Sequence, residues 1–475
     1  MYLCEILIKK YFEEVTLKML SYIHIVSIIL TLLLVIGVGF YSVRQVKSAS
    51  DFTVGGRSIS TSLVAGTIVG TLVGGASTVG TAELAFKYGF SAWWFTLGGG
   101  IACIILALFL AKPLRFSGAS TGPGFLAQAY GREAGTLASI FSSLGIFLNI
   151  IAQILAAVAL ITSMFSISPS KAAFIAVFLV ISYVIFGGVW GTGIVGTLKV
   201  ILLYISMFVS GLLAYRLGGG ITGFIQNFPE FPWFSLFGRG VSKDLAAGFS
   251  LVVGVLSTQT YLQAMFSGKN VQSSRNGALI SGMIIPPIGL AGIFVGLYMR
   301  ANFPTINARE ALPMFILQYL PHWLGGVVLA TLLISVVGTG AGLVLGVSTM
   351  LSQDIYKKMI APQASDDKVL LFSRIAIIVV TALTLIFATG NMNSLILKWS
   401  FLSMGLRGAT ICFPLLGAIF MRKQIRPKVG IWAIVLAPLS TILWAIMGLE
   451  FIDPLYVGLF VSLGTLILGS LILKE

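Results

Sequence analysis

Long apolar segments separated by short polar ones follow one another along the chain from about residue 20 to its end. Segments such as 20–41, 101–110 and 430–447 carry no Asp, Glu, Lys or Arg. A helix needs about 20 apolar residues to cross the hydrocarbon core of a bilayer. The pattern therefore predicts an all-α integral membrane protein with about thirteen transmembrane helices.

We place the helices by the length of each apolar segment and take Gly, Pro and charged residues as marking their ends. Segment 218–242 is rich in Gly, Pro and aromatic residues, so we predict an interfacial loop with Trp233 at the level of the lipid headgroups. The predicted helices cover about 20–42, 58–85, 90–112, 121–164, 170–187, 191–217, 243–266, 274–300, 322–357, 367–389, 393–421, 428–448 and 454–473.

Composition agrees with this pattern. Charged residues make up 9% of the 475 residues and hydrophobic residues 57%, whereas an average soluble domain has about a quarter charged residues. The net charge of +15 is typical of Lys and Arg in cytoplasmic loops and does not indicate nucleic-acid binding. The lipid bilayer and a small-molecule solute are the predicted partners, and the sequence does not reveal an oligomeric state.

The distribution of Lys and Arg over alternate loops favours an N-terminus outside the cell and a cytoplasmic C-terminus. We therefore predict a multi-pass protein of the plasma membrane. The first residues, 1–18, are amphipathic and of mixed charge, and Met19 opens the first apolar run. We interpret 1–18 as an N-terminal extension that could be a start-site artefact.

Two predicted helices contain stretches that are poor helix interiors. Segment 70–78 holds three glycines and three hydroxyl residues, and segment 248–259 holds two glycines, with Ser257, Thr258 and Gln259 at its end. A break in a membrane helix persists where it lines a cavity or binds an ion, and two breaks five helices apart are typical of inverted-repeat transporters. The alternative is that these glycines only permit close helix packing.

Other functional classes fit less well. Acidic residues lie almost entirely in loops or at helix ends, so we find no convergent catalytic set and predict neither an enzyme nor a cofactor. The sequence lacks the phosphate-binding loop of ATP-driven pumps. A channel would require a filter or a ring of charges, and a sensor a soluble output domain. The predicted class is a secondary transporter.

Several motifs resemble those of the solute:sodium symporter family. They are DFTVGGRS at 51–58, GGASTVG at 74–80, LAFKYG at 84–89, FGGVW at 186–190, Gln263 with SGKN at 267–270, STMLSQDIY at 348–356, Arg374, and PLLG at 414–417. The resemblance implies a LeuT-type fold with five-plus-five inverted repeats. It divides the chain into a leading helix 19–42, a core 58–421 with repeats 58–217 and 243–421, and two trailing helices within 428–473.

The same resemblance implies symport, by alternating access, of a small organic solute such as an amino acid or a carboxylate. It also implies a sodium site between the first and eighth core helices. Gly338 lacks the hydroxyl usual at its position, and Gly196 and Lys199 stand where the family often has Asp and Gln. Sodium is thus the family's coupling ion, a proton is the second candidate, and an uncoupled or exchange permease is the alternative function. The implied sodium-site residues are Thr71, Gly74, Ser335, Gly338 and Thr339.

Lys199 lies within an apolar run, where a charged side chain is costly and usually has a partner or a function. We predict that its ammonium group substitutes for the coupling cation or carries a proton. The alternative is that the side chain reaches the membrane surface along its own helix.

Arg407 lies near the middle of a predicted helix, and its guanidinium fork suits a carboxylate. We predict that it binds an anionic substrate. The alternatives are a gating ion pair, or packing against helix carbonyls near Gly405 and Gly408.

Asn149 and Gln153 are four residues apart and share one helix face. Together with other polar residues they are predicted to line a substrate pocket, although interhelical hydrogen bonding would explain them equally well. Glu83 and Lys87 have the same spacing, and we expect a solvated pair there. The further predicted pocket residues are Ser77, Thr78, Ser257, Gln259, Trp399 and Ser400.

Overall fold

The computed structural model describes residues 20–43, 57–422, 424–449 and 452–472, with the side chains of 36, 39–43 and 186–195 excepted. The predicted extension 1–18 and most of the motif 51–58 lie outside the described residues. The helices are α1 Tyr22–Val43, α2 Thr61–Leu72, α3 Thr81–Tyr88, α4 Trp94–Ile105, α5 Ala111–Phe116, α6 Gly122–Tyr130, α7 Arg132–Phe165, α8 Pro169–Leu217 and α9 Gly220–Asn227. They continue with α10 Val241–Ser257, α11 Gln259–Ser267, α12 Val271–Asn302, α13 Ala311–Tyr319, α14 His322–Met350, α15 Asp366–Gly390, α16 Ile396–Phe420, α17 Pro427–Ile446 and α18 Pro454–Ile472.

The predicted class of an all-α membrane protein is confirmed. Among the described residues, nine helices are long and apolar enough to cross a bilayer, or ten when a bent pair counts as one span. The number of about thirteen spans is not confirmed. Large apolar side chains such as Leu30, Phe208 and Phe460 are exposed on the outside of the bundle, as expected where lipid is the solvent.

The bundle has a buried centre formed mainly by α7 and α14. The most apolar windows of these helices are 83% and 94% buried, against 22% for α18 at the periphery. A helix that is apolar on all sides and enclosed by others is a core helix. Polar groups on α7 and α14 are therefore available only to other helices or to a bound solute.

Both predicted helix breaks are confirmed. The first separates α2 from α3: Val73 has an extended backbone, and residues Ala76–Gly80 form a π-helical segment. The second lies at Thr258, also extended, where α10 and α11 meet at a bend of 45°. Each break interrupts the ladder of backbone hydrogen bonds in the buried interior, so its polar groups need other partners.

In two stretches the number of helices differs from the prediction. The predicted helix 121–164 is two helices, α6 and α7, because Gly131 between them has a φ of +96°, which is available to glycine and rarely to other residues. The predicted helices 170–187 and 191–217 form one run of helical hydrogen bonds, α8, of 49 residues. Glycine weakens a helix interior by about 1 kcal/mol without necessarily ending the helix.

The prediction of a loop over 218–242 is wrong in part. The segment contains α9 and a short helix, Glu230–Trp233. The ring of Trp233 packs on Phe228 with centroids 4.5 Å apart, and the indole of Trp94 donates to the carbonyl of Leu236 at 2.8 Å. The first contact lies within the segment, and the second holds the segment against the start of α4.

We expect the substitution Gly89→Ala to destabilise the protein by at least about 2 kcal/mol, because a non-glycine residue is strained at its backbone angles. Gly89 has a φ of +64°, and a Cβ there would lie 2.1 Å from the carbonyl oxygen of Trp233. Thermal unfolding in detergent measures the effect. Gly390→Ala is the matched control, since no heavy atom lies within 4 Å of its added Cβ. Equal unfolding temperatures for the two variants would contradict the prediction.

Candidate functional site

The first helix break exposes two backbone carbonyls to α14. Ser335 Oγ donates to the Val73 carbonyl at 3.0 Å. Thr339 Oγ1 lies 3.2 Å from the Gly70 carbonyl and 3.3 Å from that of Val73. All of these groups are buried. The break therefore forms a compact set of hard oxygen atoms between α2 and α14, which is the type of group that binds small cations in transporters.

The side-chain nitrogen of Lys199 lies within this set of oxygens. Lys199 Nζ donates to the Gly70 carbonyl and to Thr339 Oγ1 at 2.9 Å, and the residue is 1% exposed. The alternative that Lys199 reaches the membrane surface is therefore contradicted. Because α8 carries Lys199 into the bundle interior, the side chain cannot extend along its own helix to water.

Small residues allow α8 to approach the break. A Cβ on Gly70 would lie 3.0 Å from Gly196 Cα, and a Cβ on Gly196 would lie 2.8 Å from the Gly66 carbonyl oxygen. A Cβ on Gly338 would lie 3.7 Å from Lys199 Nζ. Gly70 and Gly196 thus allow α8, which carries Lys199, to pack closely against α2, whereas a small side chain at position 338 would make only ordinary van der Waals contact with the lysine.

The carbonyls that accept hydrogen bonds from α14 are those of Gly70 and Val73, each one residue before Thr71 and Gly74, whose carbonyls the resemblance implied. Thr71 and Gly74 stay predictions as sodium ligands. The Gly74 carbonyl accepts from Ser77 Oγ at 3.0 Å and from Thr78 Oγ1 at 2.8 Å. Irregular backbone explains the difference, because helical periodicity does not fix which carbonyls point inward after a break.

A line of polar contacts runs from this break along α7. Gly75 N donates to Gln153 Oε1 at 2.9 Å, Gln153 Nε2 lies 3.4 Å from Asn149 Oδ1, and Ser400 Oγ donates to the same oxygen at 3.0 Å. Gly145, one turn before Asn149, accepts at its carbonyl from Ser403 Oγ. We call this line of contacts between α7 and α16 the polar seam.

Arg407 lies at the far end of the polar seam and is fully buried. Its Nε donates to the Ser403 carbonyl at 3.0 Å and its Nη2 to Ser403 Oγ at 2.9 Å, with Met404 Sδ 3.1 Å from Nη2. Its Nη1 donates to Thr258 Oγ1 at 2.6 Å. Arg407 thus connects α16 directly to the second helix break.

Neither buried cation has a carboxylate partner in the part of the chain that the structure describes. The predicted alternative of a gating ion pair for Arg407 therefore finds no acidic group there. A buried charge without a counter-charge costs several kcal/mol. The recorded ion pairs join other residues: Arg239 with Asp244, Arg309 with Glu83, Lys357 with Asp366, and Lys358 with Asp354.

Some predicted pocket residues do not join the polar seam. Gln259 Oε1 accepts from Gly122 N at 2.9 Å, so its amide holds the start of α6. Ser257 Oγ donates to the Val253 carbonyl at 2.6 Å within its own helix. Trp399 Nε1 donates to Ser394 Oγ at 2.6 Å. Ser77 and Thr78 turn back to Gly74, as described above.

The expected solvated pair of Glu83 and Lys87 is wrong. Glu83 is 3% exposed, and its Oε1 lies 3.1 Å from Arg309 Nε. Glu83 Oε2 accepts from Ile396 N at 3.0 Å, at the start of α16. Arg309 also donates to the Met392 carbonyl. The ion pair of Glu83 and Arg309 therefore joins α3 to the start of α16 and to the segment before α13.

Asp354 forms a comparable cluster at the opposite end of the bundle, which sequence reasoning did not identify as a site. It accepts from Thr121 Oγ1 at 2.9 Å, from Ser139 Oγ at 3.1 Å and from Lys358 Nζ at 2.6 Å. The available signal was the position of Asp354 inside the motif 348–356. The cluster links the start of α6 to α7 and to the π-helical end of α14.

Comparisons with known proteins agree with this architecture. The sequence model of the sodium:solute symporter family matches residues 52–433. The chain is 24% identical over 402 residues to the high-affinity choline transporter 1 of Caenorhabditis elegans, covering 78% of this chain and 69% of the relative. It is 21% identical over 455 residues to the high-affinity proline transporter PutP of Bacillus subtilis, covering 90% and 93%.

A solved structure shows the same fold. A Na⁺-coupled sialic acid symporter in a substrate-bound outward-open state matches with a TM-score of 0.79 and 17% sequence identity, covering 95% of this chain and 97% of the other. At this identity the likeness establishes the arrangement of helices, while the solute must be inferred from the side chains of this chain.

Proposed function

The chain belongs to the sodium:solute symporter family, and from this premise we propose that it takes up a small organic solute bearing a carboxylate, by alternating access. An amino acid or a simple carboxylate fits this description. Uptake is coupled to a cation gradient, with sodium the ion of the family and a proton the second candidate. In this proposal the protein lies in the plasma membrane, with its N-terminus outside and its C-terminus in the cytoplasm.

The surroundings of Arg407 are the observation that supports a solute bearing a carboxylate. Its guanidinium group is fully buried and contacts neutral groups of Thr258, Ser403 and Met404. Met404 Sδ is a weak acceptor, so a carboxylate oxygen would be the better partner for Nη2. Arg407 also contacts the second helix break, so the binding of an anion at Arg407 would depend on how α10 and α11 are arranged.

The polar seam supports recognition of the rest of the solute. Asn149, Gln153 and Ser400 place amide and hydroxyl groups between α7 and α16. Buried polar groups require partners, and a polar solute can exchange with the contacts that they now make to each other. Ser77, Thr78, Ser257, Gln259 and Trp399 stay predictions as substrate-binding residues.

An exchange permease of the same fold is the second candidate function. The observation in its favour is the Lys199 ammonium between the Gly70 carbonyl and Thr339, at the position implied for the coupling cation. A transporter whose cation position is filled by its own side chain can exchange solutes without a sodium gradient.

A solute panel tests the proposal. We expect acetate, propionate, succinate and L-proline to include compounds that raise the thermal unfolding temperature of the purified protein, since a ligand of the native state stabilises it. Propionamide, glucose and choline are the neutral and cationic controls and should have no effect. Stabilisation by a control compound, with none by a carboxylate, would contradict the proposed solute class.

A further inference from the structure

We propose that the Lys199 ammonium occupies the cation position between α2 and α14, so that this transporter binds no sodium ion there. The inference deepens the proposed function, because a lysine in the cation position favours proton coupling or solute exchange over sodium coupling at this site. It rests on that function only for the meaning of the site in transport. It concerns binding, so it can be tested without knowing the solute.

The oxygen atoms at this position suit a monovalent cation. They are the Gly70 and Val73 carbonyls and the hydroxyl groups of Ser335 and Thr339. Unwound carbonyls of broken helices coordinate Na⁺ in transporters of this architecture. An ammonium group presents three donors and no acceptor, so it uses the same oxygens.

Occupation by Lys199 and by Na⁺ is mutually exclusive. Nζ already donates to Gly70 O and to Thr339 Oγ1, so a sodium ion bound to these atoms would lie beside a second positive charge. In the described residues around Lys199 the ion pairs involve other side chains, and no carboxylate among them offsets that repulsion. Like charges at contact distance in a buried site strongly disfavour double occupancy.

Gly338 lies directly beside the side chain of Lys199. A Cβ on Gly338 would lie 3.6 Å from Lys199 Cδ, 3.7 Å from its Nζ and 3.5 Å from the Tyr183 hydroxyl. These are ordinary van der Waals contacts, so position 338 can hold a small side chain beside Lys199. In our proposal the ammonium group of Lys199 takes the place of an exchangeable cation, next to a position that lacks the usual hydroxyl.

The replacement should be reversible by two substitutions. Lys199→Gln removes the positive charge, and Gly338→Ser restores a hydroxyl beside Ser335 and Thr339. The double variant would then offer carbonyl and hydroxyl oxygens without a competing ammonium group. We expect it to bind Na⁺, whereas the natural chain does not bind it at this position.

Thermal unfolding of the purified full-length protein in detergent, in NaCl against KCl of equal concentration, tests the inference. We expect equal unfolding temperatures in the two salts for the natural chain, and a Na⁺-specific rise of about 1–2 °C for Lys199→Gln/Gly338→Ser at saturating Na⁺. Lys87→Gln is the control, because this exposed lysine lies outside the site, and it should respond to salt as the natural chain does.

Two results would overturn the inference. The first is a Na⁺-specific rise in the natural chain that Thr339→Val removes, since sodium would then share the site with Lys199. The second is a folded double variant that gains no response to Na⁺, since the lysine would then not be what excludes the ion. If the double variant does not fold, the natural chain and Thr339→Val still decide. Failure of the solute panel would refute the proposed function and leave the salt response unchanged.

Discussion

Replacing Arg407 with alanine is expected to reduce uptake of the carboxylate solute by at least about 30-fold, since truncating one partner of a buried charge pair costs about 2–5 kcal/mol. The guanidinium group contacts only neutral groups among the described residues, so the solute would supply the anionic partner. The measurement is the initial rate of uptake of a panel solute into proteoliposomes.

Arg407→Lys separates charge from geometry. It retains a cation but loses the planar fork that binds both carboxylate oxygens, so its apparent KM should rise while the protein still folds. Arg422→Ala is the control for loss of an arginine near the same helix, since Arg422 is exposed and donates to the Gln128 carbonyl at 3.0 Å. Transport by Arg407→Lys at the wild-type KM would refute bidentate recognition.

Glu83→Ala is expected to destabilise the protein by about 3–5 kcal/mol, because it leaves the Arg309 charge buried without its partner. The side chains of Glu83 and Arg309 are 3% and 9% exposed, and Glu83 also caps Ile396 N. Thermal unfolding in detergent measures the loss. The double variant Glu83→Ala/Arg309→Ala should be less destabilised than the sum of the two single variants.

An exposed ion pair provides the matched control. Lys357 and Asp366 form a pair at 3.3 Å with side chains 38% and 69% exposed, and such pairs contribute at most about 1 kcal/mol. Lys357→Ala should therefore leave the unfolding temperature nearly unchanged. Additive effects of the two substitutions at Glu83 and Arg309, or equal losses for Glu83→Ala and Lys357→Ala, would contradict the account of the buried pair.

The two helix breaks in the bundle interior were predictable because the local composition favours them. Glycines and hydroxyl residues in 70–78 and 248–259 weaken helical hydrogen bonding wherever they occur in an apolar segment. The unusual position of Lys199 was also visible, since a charge in an apolar run is costly. What the sequence could not provide was the identity of the carbonyls that Lys199 and Thr339 contact, because the backbone loses its helical period at the break.

Tertiary partners of charged residues were harder to predict. The four-residue spacing of Glu83 and Lys87 suggested a local pair, but Arg309, 226 residues away, is the actual partner. The sequence likewise did not indicate that Arg407 contacts Thr258, which is 149 residues away. A local pattern identifies which side chains share a helix face, whereas the partner in a bundle depends on which helices pack together.

The backbone conformation at glycine was the third feature that the sequence did not predict. Gly131 ends α6 with a positive φ, while the glycine-rich stretch near the middle of α8 leaves the helix continuous. The sequence analysis predicted the opposite in both places, a continuous helix over 121–164 and a break between 187 and 191, because composition does not determine the backbone angles at glycine.

Solute counterflow tests most directly whether the two broken helices belong to a carrier. Proteoliposomes loaded with an unlabelled carboxylate that stabilises the protein would be diluted into the same labelled compound, with no ion gradient. The account predicts a transient accumulation of label inside the vesicles that is absent with Arg407→Ala. Entry of every carboxylate of the panel at the rate of protein-free vesicles would contradict it.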